Sequence, residues 1–115
     1  MNKQRMSRID HEIQRVVGTL ISRELKDPRL GFTTVTRVET SPDLRSARIF
    51  VSIIGDRHAA RQTMDALSHA AKFLRGELGH QIALRYVPEL TFVEDRTTER
   101  AIAVSKAIRE AQGGV

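Results

Sequence analysis

Between residues 60 and 92 the apolar residues change their rhythm, and that change limits the architecture to a helix feeding a strand. Ala60, Met64, Leu67, Ala71, Leu74 and Leu78 recur at steps of three and four, which lays one apolar stripe along an amphipathic helix. From Ile82 the step becomes two. Ile82, Leu84, Tyr86, Pro88, Leu90 and Phe92 alternate with Ala83, Arg85, Val87, Glu89 and Thr91, the pattern of a half-buried strand over Ile82 to Phe92. Pro88 has no amide hydrogen to give a ladder, so it belongs at a sheet edge or a bulge. Gly76 and Gly79 each lower helix propensity by about 1 kcal/mol relative to Ala, which predicts a break in the helix and an end near Gly79 and His80. A helix leading into a strand in this way is half of a layered α/β unit.

The chain before this stretch supplies the other half. Ile9, Ile13, Val16, Val17, Leu20, Ile21 and Leu25 keep helical spacing within Ser7 to Lys26, a stripe wide enough to pack on a sheet. The opposite side carries Arg5, Arg8, Glu12, Arg15, Thr19, Arg23 and Lys26, a mostly basic ridge. Pro28 ends this helix, because it disfavours helical geometry at Asp27 and fits the first corner of a turn. Phe32 to Thr40 is rich in β-branched residues and reads as a strand, although its alternation is poor and does not define an inward face. After a Ser41-Pro42-Asp43 turn, Ser46 to Ile54 alternates cleanly, with Ala47, Ile49, Val51 and Ile53 on one face and Arg48, Phe50 and Ser52 on the other. The short link makes the two strands an antiparallel hairpin. Residues Glu94 to Ala111 carry a last helical pattern, Ala101, Val104, Ile108 and Ala111, capped by Asp95, and residues 112–115 should fray.

At 115 residues the chain has the size of a single domain, residues 1–115, with one core and no need of staples. It has no cysteine, which excludes disulfides and thiolate metal sites and suits a cytoplasmic setting. Its charged N-terminus is neither a signal peptide nor a membrane span, so no membrane partner is expected. The net charge of +5 is uneven: seven basic residues face four acidic ones over residues 1–29, seven face four over 30–76, and five face six over 77–115. Fifteen of the nineteen basic residues are arginine, whose planar fork suits phosphate oxygens, so a polyanion is the favoured partner.

Catalytic chemistry finds little support. His58, His69 and His80 recur every eleven residues, which on one helix separates successive rings by about 16 Å, too wide for one metal. Glu94 and Asp95 are neighbours whose side chains would point opposite ways at a strand end, so a helix cap suits them better than paired acid and base work. No phosphate-cradling glycine loop and no nucleophile elbow occurs. The reading is therefore of a protein that is not an enzyme, needs no cofactor or metal and takes no small-molecule substrate. Only five aromatics are present, and Phe32, Phe73, Tyr86 and Phe92 fall where a core would claim them, so stacking on unpaired bases is not expected to dominate.

Five strings in this order resemble the ribosome-binding factor A family: RELKDPRLG at Arg23 to Gly31, VTRVETSPDL at Val35 to Leu44, ARIFVS at Ala47 to Ser52, FLRGELG at Phe73 to Gly79, and LRYVPELTFVED at Leu84 to Asp95. The resemblance implies an α+β two-layer sandwich, a K-homology-like domain of the second type. Its order would be helix, strand, strand, helix, kink, helix, strand, with a further C-terminal helix. In that family an Ala-x-Gly kink joins two helices; the matching positions are Ala70, Ala71 and Lys72, with lysine in place of glycine. The resemblance also implies a monomeric, cytoplasmic, non-catalytic assembly factor important in the cold. It would bind the free 30S subunit and precursor 16S rRNA in late maturation and assist 5′-end processing. Beside it stands a rival reading from the charge alone, a small DNA-binding or nucleoid protein, which would need a recognition helix or a dimer. The basic residues that point away from every apolar stripe are the expected RNA contacts: Arg5, Arg8, Arg15, Arg29, Lys72, Arg75 and Arg85.

Overall fold

The computed structural model describes residues 3–97 and Ile108. Five elements follow one another: α1 (Lys3–Glu24), β1 (Phe32–Thr40), β2 (Ser46–Ile54), α2 (Arg57–Gln81) and β3 (Glu89–Glu94). The strands form one sheet in the order β1-β2-β3, with β1 and β2 antiparallel and β2 and β3 parallel. Its inward face meets both helices, burying Val35, Val38, Ala47, Ile49, Val51 and Leu90 against Ile13, Val16, Val17, Leu20 and Ile21 of α1 and Leu67, Leu74 and Leu78 of α2. Each such Val, Leu or Ile side chain contributes about 1.5–3 kcal/mol of transfer free energy on full burial, so a two-layer α+β sandwich follows directly from the apolar stripes.

Local signals place the ends. After α1, the Asp27 carboxylate accepts from the Arg29 amide at 2.9 Å while the Asp27 carbonyl accepts from the Leu30 amide at 3.0 Å, closing the turn expected at Pro28. Asp56 caps α2 through its Oδ1, which accepts from the Ala59 amide at 2.8 Å. Between β1 and β2 the Asp43 carboxylate accepts from the Ser41 hydroxyl at 2.6 Å and from the Arg45 amide at 3.0 Å. These bonds hold its carboxyl below its ordinary pKa, and they tie the turn in which Leu44 takes a left-handed φ of 59°.

The poor alternation of Phe32 to Thr40 has a structural cause. The pairing register shifts between Val35 and Arg37, so Val35 lies opposite Val51 while Arg37 lies opposite Phe50. This β-bulge inserts Thr36 as an extra residue and lets Val35 and Val38, three apart, both face the core. β1 is an edge strand, and α1 covers its outer groups: Gln14 Nε2 donates to the Val35 and Thr36 carbonyls at 3.3 and 3.4 Å, and Asp10 Oδ1 accepts from the Thr40 amide at 3.1 Å.

Four expectations are corrected. The strand expected over Ile82 to Phe92 pairs only from Glu89 onward, because its partner β2 begins at Ser46 and the chain before Ser46 is already turning. Residues 82–88 are therefore a loop. The break expected at Gly76 and Gly79 is absent, since α2 runs uninterrupted to Gln81 with Leu74 and Leu78 fully buried on either side of Gly76. The same continuous helix passes through Ala70, Ala71 and Lys72, so the helix, kink and helix implied by the resemblance form a single element, and lysine there avoids the propensity cost of about 1 kcal/mol that glycine would bring. Finally, three of the four aromatics assigned to the core are exposed: Phe32 at 73%, Tyr86 at 59% and Phe73 at 47%. Phe32 begins β1 after the end of α1, Phe73 lies beside the buried Leu74 on the outward side of α2, and Tyr86 sits in the loop.

The helical pattern of Glu94 to Ala111 and the tail 112–115 lie outside the described residues, save for the stretch to Thr97 and Ile108. Asp95 Oδ1 accepts from the Thr97 amide at 2.9 Å and its hydroxyl at 2.6 Å, as an N-cap carboxylate does. Its Oδ2 accepts from the Thr36 hydroxyl at 2.8 Å, tying the end of β3 to the bulge.

Candidate functional site

The 82–88 loop between α2 and β3 is held at both ends by backbone hydrogen bonds and between them by the buried Pro88 and the half-buried Ile82, Leu84 and Val87. Its start is fixed where the Ile82 amide donates to the Leu78 carbonyl at 3.0 Å, and its end where the Glu89 amide donates to the Arg45 carbonyl at 2.9 Å. Gly79 lets Val87 approach α2 so closely that a Cβ at Gly79 would stand 2.9 Å from Val87 Cγ2. From the helix, Arg75 donates its Nε and Nη2 to the Val87 carbonyl at 3.1 and 2.9 Å. The loop thus has a defined course although it belongs to no ladder.

Cations from four separate parts of the sequence meet along it. At its start, Arg5, Arg8, Ile9 and Glu12 of α1 line a shallow hollow with Gln81, Ile82, Ala83 and Leu84. Toward its end, Arg45 of the hairpin turn and Arg75 of α2 line a second hollow with Tyr86, Val87 and Glu89. Lys72 and Arg75, one turn apart on α2, share a third with Ser68, Ala71, Glu89 and Leu90. Arg85 lies within the loop, its guanidinium carbon 5.6 Å from the centre of the Tyr86 ring. Glu12 and Glu89 are the carboxylates of these hollows, so positive charge dominates the rim.

Five of the seven arginines and lysines singled out in the sequence, Arg5, Arg8, Lys72, Arg75 and Arg85, therefore border one loop. Arg15 and Arg29 do not. Arg15 pairs with Glu12 at 2.7 Å on the exposed side of α1. Arg29 lies past the other end of α1, where its carbonyl and the Gly31 amide meet Thr63. From Thr63 to Gln81 the helix rises by about 27 Å, which sets Arg29 at the far end of the sandwich. Its guanidinium is committed to Asp27, with Nε 3.1 Å from Oδ1 and Nη2 2.7 Å from Oδ2, which holds the Asp27 carboxyl down at about 2 and raises the arginine above its ordinary value.

Sequence reasoning missed Arg45 and Tyr86. Arg45 reaches the rim only because β3 pairs in parallel with β2, which sets Glu89 beside Ser46. No local spacing carries that information. Tyr86 is concealed by the alternation that mimics a strand. Among the described residues no group of three or more His, Asp or Glu is placed to hold a metal ion, and no helix is long and apolar enough to cross a membrane.

The family profile for Ribosome-binding factor A matches residues 5–108 of this chain. A ribosome-binding factor A from Lachnoclostridium phytofermentans is 43% identical over 114 residues, covering 98% of this chain and 84% of the relative. The crystal structure of ribosome-binding factor A from Thermus thermophilus superposes with a TM-score of 0.72 at 26% identity, covering 80% of this chain and 97% of that one. A homology model of the Thermus thermophilus protein, fitted into a cryo-EM map of a 30S complex, gives a TM-score of 0.63 at 29% identity and covers 75% of this chain and 90% of that one.

Proposed function

The chain belongs to the ribosome-binding factor A family, and from that premise we propose that it binds the free 30S subunit through 16S rRNA during late maturation. It is a binding protein and not an enzyme, as its family is. A relative fitted into a 30S complex supports the small subunit as partner. In this reading the protein assists 5′-end processing of the precursor without touching the scissile bond. It favours the RNA conformation for which it has the higher affinity, since a ligand shifts an equilibrium only by that difference. It works in the cytoplasm, and residues 1–115 act as one domain. The mixed sheet with both helices on one face supports a K-homology-like arrangement of the second type, in which α2 stands for the two helices joined by a kink.

The single observation that carries RNA binding is the gathering of Arg5, Arg8, Arg45, Lys72, Arg75 and Arg85 around one backbone-held loop. Guanidinium and ammonium groups gathered along one rim suit the phosphates of a folded RNA. The test is co-sedimentation with purified 30S subunits across a salt series. Changing Arg45 and Lys72 to Glu abolishes pelleting at physiological salt, and each lost phosphate contact lowers the slope of log affinity against log salt by about 0.7 to 0.9. Arg29→Gln, at the far end of the sandwich, leaves binding intact. Undiminished binding by the Arg45 and Lys72 double variant would exclude the rim.

A further inference from the structure

Tyr86 stands 59% exposed, although an aromatic ring gains more from burial than most side chains. Its hollow is walled by Arg45, Arg75, Val87 and Glu89. The walls are set by backbone bonds: Arg75 is fixed to the Val87 carbonyl through Nε and Nη2, the Arg45 amide is held by Asp43, and the Arg45 carbonyl accepts from the Glu89 amide. An aromatic residue, two arginines and one glutamate therefore line one open pocket.

Resting on the RNA-binding reading above, we propose that this pocket takes one unpaired guanine, stacked on Tyr86 and recognised by Glu89, with Arg45 and Arg75 on the adjoining phosphates. Unpaired bases splay onto aromatic side chains and are read along their Watson–Crick edges. An ionised carboxylate can only accept hydrogen bonds, through two oxygens side by side. Guanine matches it with two adjacent donors, N1–H and the 2-amino group, whereas adenine, cytosine and uracil each offer a single donor group on that edge. In a duplex these guanine donors are already given to cytosine, so the pocket selects for an unpaired nucleotide as well as for its identity. Arg45 and Arg75 offset the charge of Glu89, which would otherwise repel the RNA backbone.

The experiment is fluorescence anisotropy of the full chain with labelled single-stranded pentanucleotides UUGUU, UUAUU, UUCUU and UUUUU at one fixed salt concentration, together with UUIUU, where inosine keeps N1–H but lacks the 2-amino group. The guanine oligonucleotide binds about tenfold more tightly than the other three standard ones, and inosine falls between. Tyr86→Ala weakens guanine binding about tenfold and Tyr86→Phe restores it, because stacking needs the ring and not the hydroxyl. Glu89→Gln levels the preference among the bases. Equal binding of all four bases by the wild-type chain, inosine equal to guanine, or an unchanged affinity for Tyr86→Ala would each overturn the pocket. The same wild-type preparation is tested for co-sedimentation with 30S subunits. Pelleting without base preference refutes the pocket alone, whereas failure to pellet strikes the RNA-binding reading itself.

Discussion

Two glycines three residues apart in α2 should respond oppositely to the same substitution. Both sit in helical backbone, so alanine raises helix propensity by about 0.8–1.0 kcal/mol at either site. At Gly76 a Cβ would meet no atom within 4 Å, and Gly76→Ala stabilises by that full amount. At Gly79 the new Cβ would stand 2.9 Å from Val87 Cγ2. Carbon atoms settle at about 3.5 to 4.0 Å, so the contact must open by roughly 0.6 to 1.1 Å. Val87 is poorly able to yield: it is stiff at χ1, its carbonyl is gripped by Arg75 through two hydrogen bonds, and Pro88 behind it is buried. Overpacking of this kind costs about 1–3 kcal/mol, which meets or exceeds the propensity gain and leaves Gly79→Ala between neutral and about 2 kcal/mol destabilised. Thermal unfolding followed by circular dichroism reads the difference, since 1 kcal/mol moves Tm by about 4 °C or somewhat more in a domain of this size. Equal stabilisation by both variants would refute the close approach of the loop to Gly79. A destabilised Gly76→Ala would refute the open space beside Gly76.

Two further outcomes follow from single side chains. Thr63 is fully buried in α2, and its hydroxyl accepts from the Gly31 amide at 2.9 Å while donating to the Ala59 carbonyl at 2.9 Å; Thr63→Val keeps the shape, strands the Gly31 amide and lowers stability by about 1–3 kcal/mol in urea unfolding, a loss below about 0.5 kcal/mol counting against the bond. Asp27, beside Arg29, and Asp95, bonded to Thr97 and Thr36, are both held at about 2 from an ordinary 3.8. A folded value below the unfolded one means that their stabilising effect is present above about pH 4 and is lost as pH falls toward about 2. NMR titration of the carboxyl carbons reads this directly, with Arg29→Ala raising Asp27 and Thr97→Ala raising Asp95; unchanged values in those variants would sink the assignment of cause.

The parts of the fold legible in the sequence are those in which one face of one element decides burial. Ile13, Val16, Val17, Leu20 and Ile21 of α1 and Ala47, Ile49 and Val51 of β2 are buried as their spacing requires, because a helix or strand with one dry side shows its period in the chain itself. β1 resisted for a definite reason: the bulge at Thr36 adds one residue, so the inward set changes from odd to even partway along and no single period fits. Gly76 and Gly79 looked alike because propensity counts only the backbone. Their difference lies in what approaches from outside, nothing at one and Val87 at the other.

The candidate site was hidden by the same gap between local pattern and pairing. The alternation from Ile82 to Phe92 holds in burial at its start, where Ile82 and Leu84 are half-buried while Ala83 and Arg85 are exposed, and inverts at Tyr86, which is exposed, and Val87, which is half-buried. A strand, however, exists only where a neighbour offers carbonyls and amides at the matching register. β2 offers them from Ser46 onward, so pairing begins at Glu89 and the seven residues before it are released from the sheet. Release has two consequences at once. Tyr86, which a ladder would have turned with Ile82 and Leu84 toward the core, is turned to solvent, and Arg45, one residue short of the strand, becomes its neighbour. The point at which parallel pairing starts therefore decides both where the sheet ends and which side chains gather at its edge. A change that extended pairing upstream of Glu89 would dismantle the rim even with every arginine in place.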